Sequence, residues 1–517
     1  MSRFRTQRPT RMGMRGYFNI PSEIASESLF NTRSPRGKIP PAEVYEYLRN
    51  PVPPSESLDP SHPSGDMENA MRYLYILVTN IHDPNRKASE RRELLMEYDS
   101  NFSHIWPWTS MLVQRALEHD ATTEEGVAYR DSLLHIFPKV AALPNFNGVG
   151  LNLSWTLKFM QQRPDLFPSI IHVFTYTLNR SHSSLEEMFL LLLAALQSCE
   201  ADEAMALRTA DVIIHSDTID LLFSYISTVL QKRPVTESVC SAVQIITLLS
   251  VSSPKILIAL IIHNTVQHCS FWCKTIFKPR RLAGLDENVR LKEKTVEFVK
   301  HIIKLFGHTI QFHGPPAMVI VLRHGFLETM VHAGTLIAYD VARPANQVSA
   351  GVAFQDLTLA KLFSDVLGHL YWMLRLGHIL NLTVTSWRKV SETDNPARRD
   401  ALQAFTDLMT SASQSPHPDL RGFGKLWEDV TNAAVSTKTL RQQFEDEGLI
   451  ICANPDEPPN TTNYVGCDKQ DWKKHNHRAK CNQIHDSATG PLKPMMTDVD
   501  RYFNEWINDR FQQPQDK

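Results

Sequence analysis

Residues 216–262 read SDTIDLLFSYISTVLQKRPVTESVCSAVQIITLLSVSSPKILIALII, and this stretch decides the fold. Ser216 is placed to cap a helix, and Pro234 ends that helical region. A second helix begins near Thr236, and Pro254 suits the first position of a third. In the first helix, apolar residues recur at three-and-four spacing, at Ile219, Leu222, Phe223, Ile226, Val229 and Leu230. The stretch therefore predicts three helices in quick succession.

The same pattern extends in both directions, from Met67 to about Val390. It predicts helices over Asp286–Phe306, closed by Gly307, over Pro316–Met330 and through Leu362–Leu374. Connections are short, and no strand-like alternation interrupts the helices. We therefore expect residues 67–390 to form an all-α body, either an armadillo- or HEAT-like α-solenoid of stacked helical hairpins or an irregular helical domain.

Residues 1–66 differ from this body because they are rich in proline and serine and begin with a run of arginines. This composition predicts a disordered basic tail, with one short helix near Ala42–Arg49. After the body, residues 391–447 predict a polar linker that carries two helices, Ala397–Met409 and Leu426–Phe444, with a break at the proline- and serine-rich segment between them.

Residues 495–513 predict an amphipathic C-terminal helix. Thr497 and Asp500 have the spacing of a capping box in which aspartate replaces glutamate. One face carries Val499, Tyr502, Phe503, Trp506, Ile507 and Phe511. We expect this aromatic face to dock onto the protein's own body.

The composition is that of a soluble protein, with 517 residues, 42% of them hydrophobic, and a formal net charge of −2. The near-neutral balance gives no sign of nucleic-acid or membrane attraction. No secretory signal is visible, and the most apolar run, Met188 to Leu196, is about half of a membrane span and predicts a buried helix. We therefore expect an intracellular protein, cytoplasmic or nuclear.

Seven cysteines are present, and four of them lie in apolar helical patterns: Cys199, Cys240, Cys269 and Cys273. Free thiols in such patterns are usually small buried hydrophobes. His268, Cys269 and Cys273 stand close enough in sequence to suggest a metal cluster, but no second ligand pair accompanies them. The core interpretation is therefore favoured for these residues.

The other three cysteines gather near the end of the chain with two histidines. If residues 470–481 form a short helix, His477 and Cys481 lie four residues apart on one face, where both reach one ion. His475 would point elsewhere and is the alternative to His477. Cys467 stands just before this helix, and Cys452 lies on a turn. The pattern predicts a zinc site with Cys452, Cys467, His477 and Cys481 as ligands.

These residues resemble a MYND-type zinc finger over residues 448–485, through Cys452-Ala-Asn-Pro and Cys467-x3-Asp-Trp followed by His477-x3-Cys481. The resemblance implies a module that binds short peptides, with two zinc ions in interleaved sites. Here Glu457 stands where the family has a second cysteine, and the central cysteines are absent. Three outcomes stay open: the four ligands share one zinc, the segment folds without metal, or the sequence lacks an internal segment.

No catalytic signature accompanies this segment. The Gly-x-Ser-x-Gly elbow, the phosphate-binding loop, the metalloprotease helix and the signature of the SET methyltransferases that accompany some MYND fingers are all absent from the sequence. We therefore expect a non-enzymatic interaction scaffold with a protein or peptide partner. The alternatives are a metal-free relic of the finger, with binding by the helical body alone, and an enzyme with an unrecognised site.

Overall fold

The computed structural model describes residues 41–53, 65–83, 86–118, 123–144, 151–199, 202–278, 280–281, 284–285, 288–343, 357–392, 394–446, 500, 503–504 and 506–507. Over these residues the fold is all-α, with twenty helices and a single isolated β-bridge between Pro144 and Leu151. The described residues divide into two compact units. Unit 1 comprises residues up to Val229 together with Glu237–His263, and unit 2 comprises Leu230–Thr236 and residues from Asn264 onward.

Unit 1 is built from eleven helices, the ninth of which runs on into unit 2. They are α1 (Pro41–Leu48), α2 (Gly65–His82), α3 (Ala88–Glu118), α4 (Glu124–Ala141), α5 (Leu153–Gln162), α6 (Leu166–Arg180), α7 (Leu185–Cys199), α8 (Glu203–Ile214), α9 (Thr218–Lys232), α10 (Glu237–Ser252) and α11 (Pro254–Ile262).

The core of unit 1 forms between helices that are adjacent in the chain and between helices two or three apart. The most extensive contacts join α7 to α10, α6 to α7, α5 to α7 and α3 to α4. The run Met188 to Leu196 lies in α7 and is largely buried, as its composition predicts. Near the start of the unit, the rings of Phe102 and Phe159 stack with centroids 3.7 Å apart. Burial of such aromatic side chains is the main favourable contribution to folding.

Unit 2 contains the remaining nine helices of the described chain. They are α12 (Thr265–Ile276), α13 (Val289–His313), α14 (Pro315–Arg323), α15 (Phe326–His332), α16 (Gly334–Ala342), α17 (Leu359–Met373), α18 (Gly377–Ser391), α19 (Pro396–Ala412) and α20 (Pro418–Asp446).

Helix α17 is the centre of unit 2, and it packs against α13 on one side and α20 on the other. A row of four phenylalanine rings crosses this core. The ring centroid of Phe363 lies 5.9 Å from that of Phe326 and 6.3 Å from that of Phe423. The ring centroids of Phe423 and Phe405 are 6.2 Å apart. Because α19 and α20 supply two of these buried rings, residues 391–447 belong to the body. The two helices predicted over Ala397–Met409 and Leu426–Phe444 are present as α19 and α20, and they pack into unit 2.

Three helices predicted from residues 216–262 are confirmed as α9, α10 and α11. Ser253 caps α11 by accepting a hydrogen bond from the amide of Lys255, and Pro254 takes the first helical position. Helix α9 begins at Thr218 rather than at the residue after Ser216. The hydroxyl of Ser216 instead donates to the carbonyl oxygen of Ile213, at the end of the preceding helix.

Two predicted helix boundaries in unit 2 are wrong. Gly307 does not end a helix, because α13 continues to His313 and ends at Gly314, whose φ is 62°. Burial of Phe306 and Ile310 on either side outweighs the weak helix propensity of glycine, about 1 kcal/mol. The helix predicted over Pro316–Met330 is two helices, α14 and α15.

The short helix predicted near residues 42–49 is present as α1. It is packed, since Val44, Tyr45 and Leu48 are each no more than 2% exposed. The segment expected to be disordered therefore contains an ordered helix, because its three apolar side chains share one buried face. Residues 1–40 lie outside the described part of the chain.

Residues 500, 503–504 and 506–507 are helical, within the segment predicted as the C-terminal helix. Phe503 is fully buried, and its ring lies 5.6 Å from that of Phe444 at the end of α20. Trp506 also contacts Phe444, at 5.7 Å. Phe503 and Trp506 of the predicted aromatic face therefore pack against the end of α20.

In the part of the chain that the structure describes, no helix taken alone has the length and apolarity to cross a membrane. Helices α11 and α12 meet those two criteria only when they are counted together across the break between them.

Candidate binding cleft

The predicted zinc ligands Cys452, Cys467, His477 and Cys481, and the alternative His475, all lie outside the described residues. Among the residues that are described, no group of three or more His, Cys, Asp or Glu side chains is arranged to hold a metal ion.

The cysteines of the helical body lie in or beside the core and form no disulfide bond. Cys199, Cys269 and Cys273 are buried, and Cys240 is half-buried. Burial raises the pKa of the Cys273 thiol to about 12 and raises the pKa of Cys269 well above its ordinary range. Thiols with such raised pKa values are neutral at pH 7, as expected of small buried hydrophobes. The core interpretation of Cys269 and Cys273 is confirmed.

A cleft in unit 2 is the strongest candidate for a binding site among the described residues. It consists of two adjoining cavities of about 210 and 290 Å³. Both cavities are lined by Lys274 of α12, Glu328 and His332 of α15, and Arg398 of α19. Five different helices contribute to its walls, so side chains more than 120 positions apart in sequence meet there. We call it the basic cleft.

Positive charge dominates the basic cleft. Its walls carry one carboxylate, Glu328, and five cationic side chains: Lys274, Lys278, Arg323, Lys389 and Arg398. Arg398 pairs with Glu328 at 2.8 Å, with roughly half of the Arg398 side chain still exposed. The guanidinium of Arg323 lies 3.0 Å from Nε2 of His378. The cleft therefore keeps an excess of positive charge that an anion can neutralise.

Gly325 forms the turn between α14 and α15 at the edge of the cleft. Its φ is +93°, a conformation that side chains other than glycine adopt only with strain. A Cβ at this position would lie 3.4 Å from Oε2 of Glu328 and 3.5 Å from Cε of Lys274. Glycine therefore permits both the turn and the close approach of the lysine to the acid-bearing helix.

His332 lies beneath the charged residues and has a depressed pKa. Burial lowers it most, Glu328 opposes this effect and Arg398 adds to it. The imidazole is nearly parallel to the ring of Phe277, with centroids 5.9 Å apart. Its Nδ1 has no hydrogen-bond partner among the described residues. The depressed pKa favours neutral His332, so the positive charge of the cleft comes from its lysine and arginine side chains.

A second polar cluster, in unit 1, joins α4 to the turn between α6 and α7. Ser183 Oγ lies 3.0 Å from Nε2 of His135, whose Nδ1 lies 3.9 Å from Glu187. This order of groups resembles a serine–histidine–acid relay. The last distance is too long for a hydrogen bond, however, and Glu187 pairs with Lys139 at 3.2 Å. The cluster therefore ties these elements together without an aligned nucleophile.

Sequence reasoning did not find the basic cleft. Its lysines and arginines are spread over residues 274–398, and although Lys278, Lys389 and Arg398 have basic neighbours in sequence, nothing in the sequence indicates that the five cations converge. The one local signal is His324-Gly325, which interrupts the apolar pattern between α14 and α15.

Comparison of the sequence with known protein families gives no match, and comparison with curated proteins gives no significant match.

Proposed function

We propose that this protein is a non-enzymatic interaction scaffold whose unit 2 binds an acidic segment of a partner protein in the basic cleft. The observation that carries this proposal is the meeting of five cationic side chains and one carboxylate around an open cavity. Permanent cations bind and orient an acidic ligand, and they are poorly suited to proton transfer at neutral pH.

Helical-repeat architecture supports the proposal. Within each unit, the most extensive contacts join helices three or four apart in the chain, such as α7 with α10 and α13 with α17, as between equivalent helices of successive repeats. We propose an armadillo- or HEAT-like solenoid on this basis. Such folds use exposed surfaces between successive helices for protein partners, and the basic cleft is such a surface.

We further propose that residues 448–485 form a shortened MYND-like zinc finger. The spacing of Cys452, Cys467, His477 and Cys481 supports one Cys3His site, the smallest closed structural site that these donors can form. The alternative is a relic finger without metal, with partner binding by the helical body alone.

Zinc binding is tested by metal analysis and thiol alkylation of the full chain. We expect one zinc per chain, with Cys452, Cys467 and Cys481 alkylated only after a chelator is added. The buried Cys269 and Cys273 are internal controls that stay unmodified in both states. A metal content of zero, or alkylation of the three thiols before chelation, would favour the relic.

Partner binding is tested with a fluorescent peptide of alternating glutamate and serine, followed by anisotropy. We expect binding that weakens as salt rises and that Lys274→Gln/Arg323→Gln reduces about tenfold at low salt. Lys361→Gln/Lys425→Gln removes two exposed cations of the same unit that do not line the cleft, and we expect it to bind as the unaltered protein does. An equal loss of peptide affinity in the two double variants would contradict specific binding in the basic cleft.

The enzyme alternative predicts that Ser183 reacts with a fluorophosphonate, which labels activated serines. We expect no labelling above that of Ser183→Ala, because His135 and Glu187 are not hydrogen-bonded. Labelling that the substitution abolishes would overturn the non-enzymatic assignment.

A further inference from the structure

We infer that the ligand of the basic cleft is a phosphorylated serine or threonine in the partner segment. This inference rests on the proposed function, because it names the acidic group that the cleft receives. Three features of the cleft favour a phosphate: the number of its cations, the position of Glu328 and the size of the cavities.

The number of cations suits a phosphate better than a carboxylate. Lys274, Lys278, Arg323 and Lys389 reach the cleft from α12 and the residues that follow it, from α14 and from α18, in addition to Arg398. A phosphate monoester carries about −1.5 to −2 charges at pH 7 and three strong acceptor oxygens, whereas a carboxylate carries one charge and two oxygens. Cations that converge from separate helices can each meet a different phosphate oxygen.

Glu328 also favours a phosphate over a carboxylate as the ligand. Its carboxylate already holds Arg398 at 2.8 Å, so a carboxylate from the partner would replace one such pair with another. A phosphate dianion offers a stronger bidentate acceptor for the guanidinium, and it also neutralises the remaining lysines. Because Glu328 competes with the ligand for Arg398, a doubly charged ligand binds better than a glutamate or aspartate side chain.

The cavities fit one phosphate and its neighbouring residues. The cavity of about 210 Å³ adds Leu322, Val331 and Val390 to the charged residues, and these apolar groups can contact the aliphatic part of a ligand residue. The adjoining cavity of about 290 Å³ has room for a flanking residue. A nucleic-acid strand would need cations that follow successive phosphates, and the cations named here surround one cleft.

The test uses the full chain and three random-flank peptide libraries whose central residue is phosphoserine, glutamate or serine. We expect the phosphoserine library to bind about tenfold more tightly than the glutamate library at ~50 mM salt. Lys274→Gln/Arg323→Gln should lower its affinity about tenfold, and the control Lys361→Gln/Lys425→Gln should not. Glu328→Gln should raise the affinity for phosphoserine a few-fold, because it frees Arg398.

Four other outcomes of this experiment would overturn the phosphate inference. Equal binding of the glutamate and phosphoserine libraries would overturn the phosphate inference and leave the proposed function standing. Binding of no library would remove both. Inorganic phosphate that binds as tightly as the phosphopeptides would make the cleft a site for a free ion. Tighter binding of a single-stranded RNA, lost in Lys274→Gln/Arg323→Gln, would overturn the inference in favour of nucleic acid.

Discussion

The carboxylate of Asp500 accepts a hydrogen bond from the backbone amide of Gly377, 2.9 Å away and 123 residues earlier in the chain. Gly377 is the first residue of α18, and Leu376 before it provides no side-chain cap. Arg441 donates to the same carboxylate oxygen at 2.7 Å. The buried charge of Asp500 is thus stabilised both by a cation and by the positive end of a helix.

Replacing Asp500 should destabilise unit 2. In Asp500→Ala, Arg441 loses its anion while its side chain is 14% exposed, and α18 loses its cap. We expect a loss of about 3 kcal/mol in the free energy of unfolding, measured by urea denaturation, and faster hydrogen exchange at the start of α18. Asp365→Ala, which breaks an exposed pair with Lys361, is the control and should change stability by less than about 0.5 kcal/mol. Equal effects would contradict the capping role.

Gly377→Ala should weaken the interaction between Asp500 and Arg441 by displacing the arginine. A Cβ at Gly377 would overlap the guanidinium of Arg441, so the arginine must move away from Asp500. We expect a destabilisation of about 2 kcal/mol. The effect should be much smaller when Asp500→Ala is already present, because the two changes disrupt one network. Gly368→Ala, also in a helix but with open space around it, should instead stabilise by about 0.5–1 kcal/mol.

Gly307→Ala distinguishes a helix end from a helix interior. If Gly307 lies within α13, alanine should raise the free energy of unfolding by about 0.5–1 kcal/mol, since it has the higher helix propensity. The nearest atom to the new Cβ is a methyl carbon of Val366 at 4.0 Å, an ordinary contact. Thermal unfolding measures the change. A clear loss of stability would contradict the continuous helix.

Stability should fall as the pH is lowered from about 6.5 toward 4. Burial lowers the pKa of His82 to about 4, and its Nε2 lies 3.1 Å from the carbonyl oxygen of Lys139. An unfolded histidine takes up a proton near pH 6.5 while folded His82 does not, so the stability that it contributes is complete above that pH and is lost on acidification. The buried His301 and the half-buried His308, whose pKa values fall to about 3 and about 4, act in the same direction.

His82→Gln isolates one of these contributions. Between pH 7 and pH 4 we expect it to lose less stability than the unaltered protein, by about 3 kcal/mol at most. Urea titrations at each pH measure the difference. His104→Gln, at an exposed position, is the control for the loss of a histidine. If the free energy of unfolding changes with pH equally in both variants, His82 does not contribute to the pH dependence of stability.

The sequence was sufficient to predict the helices because apolar spacing repeats over many residues, as at Ile219 to Leu230. It failed at Gly307, where local propensity favours an end and tertiary burial of Phe306 and Ile310 prevails. In residues 391–447 the sequence predicts two helices but not how they pack, because the mean polarity of the segment hides the deeply buried Phe405 and Phe423. The basic cleft could not be predicted, because its charges converge only through tertiary packing.

The ring contact between Phe444 and Phe503 bears on how the proposed zinc segment can be removed for study. The centroids of the two rings lie 5.6 Å apart, so Phe444 and Phe503, which flank the proposed zinc segment in sequence, are in contact within unit 2. Shortening the chain from its carboxyl end would strip away Asp500 along with the cysteines, and an uncapped α18 would then be mistaken for an effect of zinc loss. Excising the intervening residues and bridging the gap with a few glycines keeps the two effects separate.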